Sequence, residues 1–209
     1  MQDDWPGAAV INHRQFVAGA DSWEGDDKSG EPLLGFLKGL GLKPEHRLLD
    51  FACGSLRVGR WLIPYLDADR YFGIDKNIWL VEMARLEEIP EQIWDEKRPR
   101  FSDEAGFNAA VFEPEMFDFV LAHAVLLHSS HRQIRALMQS LPKVLKRGAI
   151  LVGDIGIGGP DYEGDSWAYP GTVYHNESCF QWPGFEFDWL GDLPWCGKGR
   201  PWFTLRRMG

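Results

Sequence analysis

The stretch LLDFACGSLRVGRWLIPYL, residues 48–66, decides the fold. An apolar run over 46–51 contains Asp50 near its end, small residues follow at 52–55, and residues 56–66 have the apolar spacing of a helix with one buried face. This order predicts a strand, a tight turn and a helix. Residues 70–74, RYFGI, repeat the strand signal before Asp75, and a second helix with Asn77 as its cap is predicted to follow.

The alternation of strand and helix signals continues along the chain. Three further strands are predicted, at residues 99–102, 117–122 and 149–155. A helix over 33–40 precedes the first strand, and a long helix runs from about residue 130 to 145, with Lys146-Arg147-Gly148 as its end. Two last strands, at 184–190 and 201–206, resemble an antiparallel pair.

Strands that alternate with helices in this way favour a parallel sheet with helices on both faces. The predicted fold class is therefore α/β, a Rossmann-like three-layer sandwich whose mainly parallel seven-stranded sheet has an antiparallel C-terminal strand. The length of 209 residues, 44% of them hydrophobic, suits one core. We expect an irregular arm over residues 1–30 and a single domain over residues 31–209.

Composition narrows the partners and the location. The formal net charge is −9, from 31 acidic and 22 basic residues, so the long-range field repels phosphate backbones and anionic lipids. No apolar run approaches the roughly 20 residues that span a bilayer, and the start of the chain lacks a secretory signal. The three cysteines have no metal-ligand spacing. We expect a cytoplasmic protein without nucleic-acid or membrane partners and without a metal, and the oligomeric state stays open.

The residues just after each strand are the informative ones, because ligands of open α/β sheets bind beyond the carboxyl ends of the strands. The small residues 52–55 let a ligand approach the backbone, and the helix that follows offers free N–H groups to an anion. Asp75 stands 21 residues after Gly54, where a carboxylate can accept the hydroxyls of a ribose. Asp50 suits a cationic amino group. Together these features favour a nucleoside ligand derived from methionine.

A dinucleotide-binding oxidoreductase is the first rival interpretation, because it also uses a glycine turn and a distant acid. Its fingerprint places glycine or alanine three positions after the second glycine, and Arg57 occupies that position here. An acid directly before the turn also suits an amine better than a pyrophosphate. Two roles stay open for Arg57: an ion pair with the carboxylate of the methionine-derived ligand, or an ion pair with a neighbouring acidic residue.

These residues resemble the class I S-adenosylmethionine-dependent methyltransferases, over roughly residues 13–206. The resemblance rests on residues 48–66, on YFGID at 71–75 and on residues 117–155, which look like the fourth strand, helix and fifth strand of that family. The chain is also similar to a bacterial, largely unassigned subgroup through HRQFVAG at 13–19 and GKGRPW at 197–202.

The resemblance implies S-adenosylmethionine as cofactor and assigns it a set of contacts. The residues implied are Asp50, Ala52, Gly54 and Ser55 at the methionine part, Asp75 at the ribose, and Phe107 with Asn108 beside the adenine. Ala52 and Leu56 depart from the family, which usually has glycine at both positions, and this narrows the space over the cofactor.

Three residues near strand ends are candidates for catalysis. His123 and His128 follow the fourth strand, and a histidine that titrates near neutrality can take a proton from an alcohol or ammonium. His128 is the first candidate for this base, and His123 is also a candidate contact to the cofactor. Asp154 ends the fifth strand and is a candidate for orienting an amine acceptor. Each histidine is equally compatible with a structural hydrogen bond, and Asp154 with a cap.

The segment from residue 156 to 175 is long for a connection and is predicted to fold over the acceptor as a lid. Its candidate substrate contacts are Trp167, Tyr169, Tyr174 and His175, and aromatic walls suit a cationic or planar acceptor. The same rings are also compatible with covering the open edge of the sheet.

The predicted function is methyl transfer from S-adenosylmethionine to a nitrogen or oxygen of a small molecule. Two alternatives stay open: a protein that binds the cofactor without methyl transfer, and a transferase that uses another carbon of the same cofactor. Substrate-dependent formation of S-adenosylhomocysteine separates the first two, whereas the third yields methylthioadenosine.

Overall fold

The structure, a computed structural model, describes residues 13–18, 30–196 and 199–209. Its helices are α1 (His13–Ala18), α2 (Gly30–Gly39), α3 (Gly59–Tyr65), α4 (Ile78–Glu87), α5 (Glu91–Lys97) and α6 (His131–Val144). Its strands are β1 (Leu48–Phe51), β2 (Tyr71–Ile74), β3 (Arg100–Ser102), β4 (Phe117–Ala122), β5 (Leu145–Asp154), β6 (Gly156–Asp161), β7 (Phe185–Gly191) and β8 (Trp202–Arg207).

Seven of the strands form one sheet, in the order β3-β2-β1-β4-β5-β8-β7. The first five run parallel, and β8 pairs antiparallel with both β5 and β7. The strand order reverses between β1 and β4, which is where ligands bind in open sheets of this kind. The predicted fold class and the seven-stranded sheet are confirmed.

Two hydrophobic clusters cover the two faces of the sheet. Leu49 and Val120 belong to the cluster that contains the apolar side of α6, whereas Leu48 and Leu121 belong to the cluster that contains α2 and α3. Because neighbouring strand residues point to opposite faces, β1 and β4 are buried on both sides. Burial on both faces therefore holds the carboxyl ends of β1 and β4 in fixed positions.

The end of α6 differs from the prediction. The helix ends at Val144, and residues 146–148 belong to β5 instead of closing the helix. Lys146 donates to both carboxylate oxygens of Asp118, at 2.8 Å, on the neighbouring strand β4. Leu145 is fully buried and pairs with Phe117 of β4. Because of this burial, β5 begins at Leu145, although the residue types at 146–148 favour the end of a helix.

The predicted irregular arm is wrong for residues 13–18, which form α1. His13 is 1% exposed, and its Nε2 lies 3.1 Å from Glu87 of α4. Arg14 and Arg60 both contact Glu88, whose side chain is only 4% exposed. These ion pairs hold a helix too short to be stable alone. Residues 1–12 and 19–29 of the arm lie outside the described residues.

Within the described ranges, the chain contains no helix with the length and apolar character needed to cross a bilayer. Each of the three cysteines, all in the described part of the chain, is a free thiol.

Candidate active site

A cavity of about 490 Å³ opens at the carboxyl ends of β1 and β4, where the strand order reverses. Residues from the turn after β1, from the segment after β4, from α1 and from the lid line it. They are Val17, Asp50, Ala52, Cys53, Gly54, Arg57, Val58, His123, Ala124, His128, Tyr169, Pro170 and Arg200. The volume lies in the range of sites for one or two small ligands.

The turn after β1 adopts left-handed backbone conformations at alternate positions. The φ angles are 61° at Ala52, 53° at Gly54 and 55° at Leu56. Ala52 and Leu56 therefore adopt a backbone conformation that favours glycine although both carry side chains, at a cost of roughly 1–2 kcal/mol each. The side chain of Leu56 is fully buried in the core, which offsets that cost.

Asp50 is a buried acid that faces this cavity. Its Oδ2 accepts a hydrogen bond from the hydroxyl of Tyr71 at 2.7 Å, and the residue is 4% exposed. Burial raises the pKa of Asp50 to about 7, against the lowering effect of the Tyr71 hydrogen bond. Gly59 makes the Tyr71 contact possible, because a Cβ there would lie 2.7 Å from the Tyr71 hydroxyl.

Asp75 ends the neighbouring strand and is tied to the same turn. Its Oδ2 accepts from the Gly54 N–H at 2.9 Å, and its Oδ1 accepts from the Asn77 N–H at 2.8 Å. Asn77 thus occupies the predicted cap position, but the carboxylate of Asp75 satisfies its backbone, and its own side chain makes no cap hydrogen bond. An ionised carboxylate has about four acceptor positions, so two are not used by these contacts. Asp75 is not among the residues that line the cavity, and its contact with the ribose stays a prediction.

Ser55 has a different neighbour from the one expected. Its side chain is fully buried, and its hydroxyl donates to the carbonyl of His13 at 2.8 Å. Ser55 therefore anchors α1 over the turn and is not among the residues that line the cavity. Its contact with the cofactor stays a prediction.

Phe107 and Asn108 lie together near the cavity but outside its lining. The Phe107 ring packs against Phe51, with centroids 5.3 Å apart, and against Trp167 at 6.1 Å. The Asn108 side chain accepts from the Ala110 N–H and caps a short 3-10 helix. Their place beside the adenine stays a prediction.

His123 and Asp154 form a buried network with two arginines. The Nε2 of His123 accepts from Arg57 at 2.9 Å, and its Nδ1 lies 3.3 Å from Oδ1 of Asp154, which also accepts from the Ala124 N–H. Arg200 donates to Oδ2 of Asp154 through Nε, at 3.0 Å, and through Nη2. Burial opposes ionisation of Asp154, but the His123 hydrogen bond and the Arg200 charge lower its pKa to about 2.

Both ring nitrogens of His123 are thus engaged, and burial lowers its pKa. A nitrogen that accepts from Arg57 has no lone pair left for an incoming proton. The contacts favour a positioning role for His123 and Asp154, in which they hold Arg57 and Arg200 at the cavity wall, over direct proton transfer.

His128 is placed differently. Its Nδ1 lies 2.8 Å from the carbonyl oxygen of Gly171, which fixes the proton on Nδ1 and leaves the lone pair on Nε2. Burial lowers the pKa of His128 and so favours the neutral ring. The Trp167 and Tyr169 rings meet it edge to face, at centroid distances of 5.4 and 5.1 Å.

The lid lies over the cavity and reaches α1. Ala168 donates its N–H to the carbonyl of His128 at 2.9 Å, and the Tyr169 hydroxyl donates to the carbonyl of Phe16 at 3.3 Å. Val17 of α1 completes the roof. Tyr174 and His175 lie elsewhere: Tyr174 bridges to β6, and His175 contacts the carbonyl of Ser129.

Several lining residues were not predicted from the sequence. Val17 and Arg200 belong to HRQFVAG and GKGRPW, two segments that the resemblance singled out without assigning a role to either residue. Val58, Ala124 and Pro170 complete the set, whereas Cys53 belongs to the turn at residues 52–55 that the sequence singled out. Their residue types have no chemical signature, so only chain placement reveals them.

Comparison with known proteins adds independent findings. The family model described as methyltransferase domain matches residues 49–153, just over half of the 209 residues. No curated protein gives a significant sequence match.

Solved structures match the fold along most of the chain. The magnesium protoporphyrin IX methyltransferase from Synechocystis PCC 6803 with bound S-adenosylmethionine has a TM-score of 0.62 and 15% identity, over 95% of this chain and 99% of that one. The N-methyltransferase NodS from Bradyrhizobium japonicum WM9 has a TM-score of 0.60 and 15% identity, over 88% and 98%. The phosphoethanolamine N-methyltransferase from Haemonchus contortus has a TM-score of 0.63 and 12% identity, over 87% and 42%.

Proposed function

Because this chain belongs to the methyltransferase domain family and uses S-adenosylmethionine, we propose that it methylates a nitrogen or oxygen of a small molecule bound beside His128. The observation that carries the proposal is the roofed cavity of about 490 Å³ at the point where the strand order reverses, because the buried acid Asp50 and a histidine with an available lone pair, His128, both line it. The bound cofactor supplies a methyl group on a sulfonium, and this chain's residues bind and orient it.

The turn and its two acids fit the cofactor. Asp50 is a buried carboxylate with a pKa near 7, and a cationic amine beside it would replace the missing hydration and favour its ionised form. Asp75 keeps acceptor positions for the ribose hydroxyls, and Ala52 and Gly54 let the methionine part lie close to the backbone. Arg57, which donates a hydrogen bond to His123 and lines the cavity, is the proposed partner of the cofactor carboxylate.

His128 is the proposed general base. With the proton on Nδ1 held by Gly171, Nε2 can take the proton that the acceptor loses as its nitrogen or oxygen is methylated. Only a neutral imidazole can do this, and burial favours that form. Positioning supplies much of the rate, because methyl transfer needs an in-line acceptor about 3 Å from the carbon.

The roof argues for a small acceptor. Tyr169 joins the lid to α1 through Phe16, so the space beside His128 is covered from two sides. The Trp167 and Tyr169 rings suit a planar or cationic molecule. The net charge of −9 disfavours a nucleic acid, which would be repelled at long range.

The test is formation of S-adenosylhomocysteine from S-adenosylmethionine in the presence of a panel of small amines and hydroxy compounds, measured by mass spectrometry. We expect turnover with one chemical class, and a rate about 10² to 10⁴ lower for His128→Gln. Cofactor affinity, measured by calorimetry without acceptor, should be the same in both proteins. Turnover that is unchanged in His128→Gln would remove the histidine from the mechanism, and turnover only with large nucleic-acid or protein acceptors would overturn the proposal.

A further inference from the structure

Three potential metal ligands meet outside the cavity, where the lid joins α6. His131 lies in the first turn of α6, Asp161 ends β6, and His175 lies at the other end of the lid. The Nε2 of His131 is 2.9 Å from Oδ1 of Asp161, and the Nδ1 of His175 is 4.0 Å from the same oxygen. One ligand atom from each residue lies within 4.8 Å of the others.

The state of His175 is the decisive observation. Its side chain has no solvent exposure, and its Nε2 donates to the carbonyl of Ser129 at 2.9 Å. Its Nδ1 therefore has a lone pair, which is buried and without a hydrogen-bond partner among the described residues. A metal-bound histidine shows this same pattern, with the second ring nitrogen donating to a backbone carbonyl.

The spacing of the three atoms fits a tetrahedral ion. Zinc binds histidine nitrogen and carboxylate oxygen at about 2.0–2.2 Å, which puts neighbouring ligand atoms about 3.3 Å apart. The observed separations of 2.9 and 4.0 Å lie on either side of that value. The third separation, between the two histidine nitrogens, is at most 4.8 Å.

We propose that His131, Asp161 and His175 bind a divalent transition metal of the zinc type, with water as the remaining ligand. Two imidazoles and one carboxylate suit zinc and its neighbours more than magnesium or calcium, which prefer oxygen alone. Asp161 is half exposed and His131 about one-third exposed, so an ion and its water have access from solvent.

The site would act as a clamp on the lid. Asp161 and His175 bracket residues 162–174, which carry the Trp167 and Tyr169 rings that contact His128. A metal that ties both ends to α6 reduces the number of open conformations the segment can adopt. The ion lies away from the reacting atoms in this arrangement and is structural.

A second cluster, His13 with Glu87 and Glu88, also brings three potential ligands together but is a poorer candidate for a metal site. There Arg14 and Arg60 both contact Glu88, so two positive charges already neutralise the acids. No arginine or lysine ion pair is found at Asp161 among the described residues. The sequence predicts no metal site because the three ligands are separated by 30 and 14 positions along the chain, which matches no short spacing motif.

The test is titration of the metal-free full-length chain with Co²⁺ and then Zn²⁺, without cofactor or acceptor. We expect one equivalent of Co²⁺ with the visible absorption of a tetrahedral site, its displacement by Zn²⁺, and a rise of several degrees in melting temperature. Asp161→Asn and His131→Ala should lose all three signals. Asp165→Asn, which removes the same charge from the same segment, should retain them.

Two results would overturn the proposal: no saturable binding to the native chain, or binding that persists unchanged in both Asp161→Asn and His131→Ala. Because the readouts need neither S-adenosylmethionine nor an acceptor, their failure leaves the proposed methyl transfer intact. Failure of turnover would in the same way leave the metal site untouched.

Discussion

Replacing Asp50 by asparagine is predicted to make the free protein more stable and its cofactor binding weaker. The pKa of Asp50 is about 7 in the folded protein because of burial, against 3.8 for an ordinary aspartate. Between these two values the unfolded chain is ionised while the folded chain still holds the proton. The stability that this group contributes is therefore complete below the lower pKa and is lost as the pH rises toward the higher one.

The size of the effect follows from the two pKa values. Each rise of one in pH within this window lowers the free energy of unfolding by about 1.4 kcal/mol. Between about pH 5 and pH 8 the native chain should thus lose about 3 kcal/mol from Asp50, because the loss stops near pH 7. Asparagine keeps the size of the side chain and an oxygen for the Tyr71 hydroxyl, so the variant removes the titration while it preserves the packing.

Urea unfolding of both proteins at about pH 5 and pH 8 measures the difference. We expect the advantage of Asp50→Asn to grow by about 3 kcal/mol between the two conditions. The same variant should bind S-adenosylhomocysteine more weakly by about 2 kcal/mol, since a charged hydrogen bond to the amine is lost. Methylthioadenosine, which lacks that amine, is the control ligand and should bind both proteins alike. If the free energy of unfolding changes with pH in the same way in both proteins, Asp50 does not have the raised pKa assigned to it.

Three further predictions concern the turn and the base. Asp75→Ala should weaken S-adenosylhomocysteine binding by about 2 kcal/mol in calorimetry, and an unchanged dissociation constant would contradict its ribose contact. Gly59→Ala should lower the urea-unfolding free energy by about 1–3 kcal/mol because its Cβ would press on the Tyr71 hydroxyl. Gly35→Ala in α2, with nothing within 4 Å, is its control and should stabilise by up to about 1 kcal/mol. The pH profile of turnover should lose its acidic limb in His128→Gln, and a limb that stays would point to another base.

The order of strands and helices along the chain was enough to predict where the candidate site lies. Parallel strands joined by crossovers must place their carboxyl ends at one edge, so Asp50 and Asp75 could be paired without coordinates. Strand β4, at residues 117–122, was predicted to the residue from its apolar run. Each of these predictions used only residues of one strand–helix–strand unit.

What the sequence could not predict depends on contacts between distant segments. Arg200 reaches Asp154 across 46 positions, through the antiparallel pairing of β8 with β5. The helix at residues 13–18 forms because Glu87 and Glu88 hold it, and its own composition is too polar and too short to indicate one. His123 was a candidate base from its position, but only coordinates show that both its nitrogens are taken.

The left-handed Ala52 and Leu56 have a consequence for how such proteins are recognised. The main chain here follows a left-handed path although neither of these two positions carries glycine. A search that asks for glycine at fixed intervals would pass over this turn, whereas a comparison of torsion angles would find it. Relatives with other side chains at these two places can therefore be sought by shape.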